Sequence, residues 1–122
     1  MDTIQDPIES AVDYASDLTV QLKKGILTQC VLLVAEKPVY TSEILAELER
    51  AELDIVEGTI YPLLSRLARE GLLIHQWQES PQGPPRKYYQ ISDYGRNVRA
   101  HLTTSIRKLN KVIKQLERKS HE

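Results

Sequence analysis

Residues 57–73 read EGTIYPLLSRLAREGLL. Thr59, Tyr61 and Ser65 offer hydroxyls in this stretch, and Arg66 and Arg69 offer guanidiniums. On a helical wheel these side chains and Pro62 turn away from the apolar set Ile60, Leu63, Leu64 and Leu67. Hydroxyls and guanidiniums near the start of a helix suit hydrogen bonds to phosphate oxygens and base edges. Gly58 has no side chain, so a phosphate could approach the backbone there. A second basic pair, Arg86 and Lys87, follows the turn-forming run ESPQGPP at 79–85. Any solvated helix face has a similar composition, so the surrounding elements decide between the two meanings.

Other chemistry is poorly supplied. His75, His101 and His121 are scattered and have no cysteine partners, so no zinc site is expected. The single cysteine, Cys30, lies on an apolar helix face, excludes an internal disulfide and fits the reducing cytoplasm. There is no glycine-rich phosphate loop and no compelling nucleophile–base set, so neither an enzyme nor a cofactor is expected. No apolar run approaches the ~20 residues of a membrane span. The acidic start, MDTIQDPIES, lacks a signal-peptide core.

Net charge is -1 across 122 residues, which by itself says nothing for a polyanionic partner. Its distribution says more. Residues 1–57 carry 12 acidic and 4 basic side chains, and residues 58–122 carry 5 acidic and 12 basic. That asymmetry fits a polyanion on the basic half, and it equally fits two halves of one fold neutralising each other.

The length argues for one small domain. Asp6-Pro7-Ile8-Glu9 has the form of a helix start, and Ile8, Ala11, Val12, Ala15 and Leu18 form the stripe of a short leading helix. Helical spacing resumes over 25–36 with Ile26, Leu27, Cys30, Val31 and Val34, and stops at Lys37-Pro38. Thr41 or Ser42 would cap the next helix, which holds Ile44, Leu45 and Leu48, and 52–56 is a turn. With Thr59 as N-cap, Pro62 falls at the third helical position, where its missing N–H has no intrahelical partner in any case. An earlier start would sacrifice one early ladder bond.

Residues 72–78 and 86–91 then read as the strands of a hairpin. Tyr89 and Ile91 should face the core, Tyr88 and Arg86 the outside, and Leu73, His75 and Trp77 share one strand face. Trp77 is expected to pack on the hairpin or the last helix. Ser92 or Asp93 caps a final helix with the apolar stripe Val98, Leu102, Ile106, Leu109, Val112, Ile113 and Leu116. The small core cannot cover that whole stripe, so a second copy of the chain should.

The expected fold is mainly α (α+β): a winged helix-turn-helix with a two-stranded wing and a long C-terminal dimerisation helix. Its expected divisions are a leading arm at 1–19, a DNA-binding domain at 20–91 and the last helix at 92–122.

The chain also resembles the PadR family of bacterial transcriptional regulators over about residues 22–95. The resemblance rests on LKKGIL at 22–27, PVYTSEIL at 38–45, GTIYPLLSRLAREGLL at 58–73 and GPPRKYYQISDYG at 83–95. It is to the short members, which end in one helix after the wing. The resemblance implies a homodimeric regulator, usually a repressor, often released from DNA by a small molecule bound between the last helix and the leading helices. It also implies DNA contacts at Tyr40, Thr59, Tyr61, Pro62, Arg66, Arg86 and Lys87. Many members have glycine after the tyrosine where this chain has Thr41. Some short members carry a drug-binding tryptophan in the last helix, whereas here Trp77 lies in the first wing strand.

The expected partners are therefore operator DNA, a second copy of the chain and a small-molecule effector, with no membrane. Tyr40, Thr41, Ser42, Thr59, Tyr61, Pro62, Ser65, Arg66, Arg86 and Lys87 make the candidate DNA surface. Two alternatives stand beside this expectation: a winged-helix module that binds protein, and a ligand-binding protein whose DNA contact has lapsed.

Overall fold

The computed structural model describes residues 7–120. The N-cap expected at Asp6 and the residue His121 lie outside the described residues. Pro7–Val34 forms α1 and Val39–Tyr40 forms β1. Thr41–Arg50 forms α2 and Glu57–Arg69 forms α3. Leu73–Ser80 and Gly83–Ile91 form β2 and β3, and Asp93–Ser120 forms α4. The order is that of a winged helix-turn-helix followed by a long C-terminal helix.

Several local expectations are corrected. The leading helix and the first core helix are one 28-residue element, α1, which runs through Gly25 without a break. The N-cap of α2 is Tyr40, not Thr41 or Ser42. Its backbone N–H donates to Oε1 of Glu43 at 3.1 Å, so the glutamate at the third helical position satisfies a donor left over at the helix start. α3 begins at Glu57 rather than after Thr59, with Val56 as N-cap. Pro62 is thus the sixth residue of α3, and its missing N–H removes the ladder bond to the Gly58 carbonyl. The N–H of Thr59 turns instead to the Val56 carbonyl at 2.8 Å.

The turn between α2 and α3 holds Glu52 at a φ of 63°. The Leu53 N–H reaches back to the Leu48 carbonyl at 2.9 Å, which closes the end of α2. The same closure ends α3: Gly71 has a φ of 84°, and the Leu72 N–H meets the Leu67 carbonyl at 2.9 Å. Glycine adopts this left-handed conformation freely, so the second closure is the less strained one.

The sheet has three antiparallel strands in the order β1-β3-β2. β1 pairs Val39 with Tyr89 and Tyr40 with Tyr88. This strand was not expected from the sequence. The wing itself is longer than expected, because β2 and β3 continue to the pair Ser80 and Gly83 around a two-residue turn. The register slips between Gln78 and Ser80. Pro84 and Pro85 there lie opposite the single residue Glu79, and neither proline has an N–H to give to the ladder.

The core lies between α1, α2, α3 and the base of the sheet. Leu32, Ile44, Ile60, Leu64, Leu67 and Ile91 are among its fully buried side chains. Tyr89 and Ile91 point inward as alternation required. α4 begins at a Ser92 cap, whose Oγ accepts the Gly95 N–H at 2.9 Å. A Cβ at Gly95 would fall 2.2 Å from the Leu72 carbonyl oxygen, so the close seat of α4 on the hairpin requires glycine. Farther along, Gln29 of α1 donates to Oγ1 of Thr103 at 2.9 Å and to the Arg99 carbonyl at 3.2 Å. Glu36 accepts from Arg99 at 2.5 Å and lies 3.7 Å from Arg96. These contacts pin the end of α1 to the start of α4.

Candidate nucleic-acid interface

α3 turns its apolar side inward and its polar side to solvent. Ile60, Leu63, Leu64 and Leu67 are buried, while Thr59, Pro62, Ser65, Arg66 and Arg69 are exposed and Tyr61 is half exposed. The hydroxyls and guanidiniums therefore share the exposed face of one helix, with Arg66 and Arg69 in its last turn rather than near its start as expected. A Cβ built on Gly58 meets nothing within 4 Å, and its φ is not in the left-handed region. Neither packing nor backbone geometry within this chain requires glycine at that position.

The wing is joined to the start of α2 through a tilted pair of rings. Tyr40 and Tyr88, paired across β1 and β3, have centroids 3.7 Å apart with planes at 38°. The Arg86 guanidinium lies 5.1 Å from the Tyr40 ring centroid, which adds a cation–π contact. Tyr88 is the residue of this cluster that sequence reasoning missed. Alternation placed it outward, but only the pairing of β1 shows that it supports Tyr40.

Arg86 and Lys87 do not act as a single pair. Consecutive residues of a strand point to opposite faces, and these two do so. Lys87 Nζ lies 5.7 Å from the Trp77 ring centroid and 5.3 Å from that of Tyr89, on the other face of the wing from Arg86. Trp77 is 65% exposed; it pairs across the hairpin with Lys87, but most of its surface stays open rather than packed on the hairpin or the last helix as expected. Thr41 is half-buried and Ser42 exposed at the first turn of α2. The structure thus brings Tyr40, Tyr88 and Arg86 into one cluster, sets the α3 residues on the exposed side of their helix and places Lys87 on the opposite face of the wing from Arg86.

The last-helix stripe divides in two. Val98 packs against the chain's own core, and Leu102 and Ile106 are half-buried. Leu109 and Leu116 are 64% and 61% exposed, and Val112 and Ile113 lie open beside them. On α1 the expected stripe is also open, with Ile8 74% exposed and Val12 and Leu18 exposed too.

Cys30 packs against the core, and burial pushes its thiol above the usual range, which fits a packing role. His75 and His101 are exposed. Among the described residues no group of three or more His, Cys, Asp or Glu is placed to hold a metal ion, and no helix is long and apolar enough to cross a membrane.

The geometry agrees with what the chain is similar to. Residues 31–101 match the transcriptional regulator PadR-like family. A PadR-like transcription factor from Bacteroides fragilis is 42% identical, covers 82% of this chain and 98% of its own, and superposes with a TM-score of 0.70. A PadR family transcriptional regulator from Eggerthella lenta is 29% identical, with coverages of 88% and 96% and a TM-score of 0.79. A PadR-like transcriptional regulator from Bacillus cereus is 32% identical, with coverages of 79% and 95% and a TM-score of 0.68. No curated protein matches the chain. With a family match over more than half its length, and similar structures that are regulators rather than enzymes, the chain belongs to the PadR-like family of transcriptional regulators.

Proposed function

We propose that this chain is a cytoplasmic, homodimeric repressor that binds operator DNA of its own or a neighbouring operon and is released by a small-molecule effector. The observation that carries the DNA-binding part is the exposed face of α3. Thr59, Tyr61, Pro62, Ser65 and Arg66 project from a helix whose other side is locked into the core. Such a helix enters the major groove, with its first turns at the base edges. Tyr40, Thr41 and Ser42 then meet the backbone at the start of α2. Arg86, held over Tyr40, and Lys87 on the other face of the wing meet the backbone or the minor groove beside it.

The dimer follows from the open stripes. Leu109, Val112, Ile113 and Leu116 on α4, with Ile8, Val12 and Leu18 on α1, expose more apolar surface than a lone soluble chain usually shows. A second copy offers the same stripes, and closed two-fold pairing is the commonest way to bury them. Val98, Leu102 and Ile106 continue the seam toward each protomer's own domain. The repressor role and the effector are supported by the resemblance to short PadR members, and an effector acts only through a different affinity for the DNA-bound and free states.

The test is a salt titration of wild type, Arg86→Ala and Arg66→Ala on an operator duplex and a scrambled one. Arg86→Ala should weaken both complexes alike and reduce the log–log salt slope by about one unit per phosphate contact. Arg66→Ala should cost about 1–3 kcal/mol on the operator and much less on the scrambled duplex. Equal losses for Arg66→Ala on both duplexes would remove it from base reading. If no variant differed from wild type, the protein-binding module would replace this proposal.

A further inference from the structure

Beside the exposed face of α3 runs a groove of about 600 Å³ whose far wall is α1. Lys24 and Leu27 come from α1, and Thr59, Pro62, Ser65, Arg66 and Arg69 line the α3 side, with Leu63 beneath. Its charge is one-sided: the lining contains three cations and no carboxylate. Three arginines elsewhere sit beside carboxylates. Arg50 meets Glu47, while Arg96 and Arg99 meet Glu36. Among the described side chains, Lys24, Arg66 and Arg69 have no such ion-pair partner. Like charges gathered along one groove repel each other, and an anion in the groove removes that repulsion.

We infer that this groove holds the sugar–phosphate backbone of the bound duplex, with Lys24 and Arg69 as phosphate contacts that lie outside the recognition residues. The inference rests on the DNA-binding function proposed above and adds α1 to the interface. The chemistry of the lining fits one backbone stretch. Lys24 and Arg69 supply charge, and Thr59 and Ser65 supply hydroxyl donors. Leu27, Pro62 and Leu63 offer an apolar floor for the deoxyribose ring. Position supports the same occupant: the groove shares Thr59, Pro62, Ser65 and Arg66 with the face that meets the bases, so a strand running past α3 is directed along it. Phosphate contacts of this kind set the register of the recognition helix and carry no sequence information themselves.

Lys24 and Arg69 are both exposed, so neutralising them should leave the fold intact. The experiment measures equilibrium affinity against salt for wild type, Lys24→Gln, Lys24→Arg, Arg69→Gln and Arg86→Ala, on operator and scrambled duplexes. Lys24→Gln and Arg69→Gln should each weaken both complexes by the same factor. Each should also lower the magnitude of the salt slope by about 0.9 per lost phosphate contact, hence about two per dimer. Lys24→Arg should bind like wild type. A Lys24→Gln protein with wild-type affinity and slope overturns the inference, whatever Arg69→Gln does. A loss confined to the operator overturns it too, because a backbone contact does not distinguish sequences. If Arg86→Ala weakens binding while Lys24→Gln does not, the groove is wrong and the DNA-binding function stands. If wild type binds neither duplex, both fail.

Discussion

At the scale of single residues, two glycines separate folding from function. Gly95 sits where any Cβ would strike the Leu72 carbonyl and the Ile91 side chain, so Gly95→Ala should destabilise the protein by about 1–3 kcal/mol in urea unfolding. Gly58 meets no neighbour and lies in the first turn of α3, so Gly58→Ala should leave stability unchanged or slightly raised. If a phosphate approaches that backbone, the same substitution should weaken DNA binding severalfold. A Gly58→Ala protein of unaltered DNA affinity would show that the glycine serves no contact. The α3 face was legible from sequence because one helical period separates Ile60, Leu64 and Leu67 from the polar side chains. Tyr88 and Lys24 were not. Tyr88 gains its role from Tyr40, a partner remote in sequence, and Lys24 from a groove that exists only once α1 and α3 are packed. The split of Arg86 from Lys87 was implicit in strand alternation, yet a basic pair read as a run conceals it.

At the scale of elements, the joint between α1 and α4 carries a testable charge. Hydrogen bonding from Arg99, reinforced by the positive charge of Arg99 and Arg96, holds the Glu36 carboxyl below its usual range. A carboxyl whose pKa is lower in the folded state stabilises the fold at pH above its unfolded value, and that contribution disappears as pH falls through the folded value. Glu36→Gln should therefore be less stable than wild type at neutral pH, and the two should converge below about pH 4. The effect is small, since Glu36 is half exposed and screened by solvent. Thermal melts of both proteins across pH 3–8 check it, and a constant offset at every pH would deny Glu36 its charge-dependent part. Elements with a long regular period were readable in advance, which is why the helices and the hairpin were anticipated in order. β1 was not, because two residues have no period and their strand character comes from β3. The ends of α3 were misjudged for a related reason: Thr59 is a good cap by type, yet the chain caps at Val56 and tolerates Pro62 inside the helix. The unbroken length of α1 was readable in the spacing, since Leu22 links Leu18 to Ile26, yet Lys23-Lys24-Gly25 reads as a break between two helices.

At the scale of the whole molecule, the proposed function makes the two long helices decide how many chains meet the DNA. α1 and α4 each have 28 residues, about 42 Å of helix. They are pinned together at Gln29–Thr103 and Glu36–Arg99, while their far halves carry the open apolar stripes. In the proposed dimer, a second copy that buries those stripes would fix the distance between two copies of α3, and that distance would set the operator. The measurement that tests this account most directly is a footprint of the protein on the DNA upstream of its own gene, with Leu109→Asp beside wild type. Wild type, a dimer by light scattering, should protect two half-sites about one helical turn or a multiple apart. Leu109→Asp should be monomeric or insoluble and leave no footprint at the same concentration. A wild-type protein that protects no discrete site, or a soluble Leu109→Asp dimer with the wild-type footprint, would contradict the account.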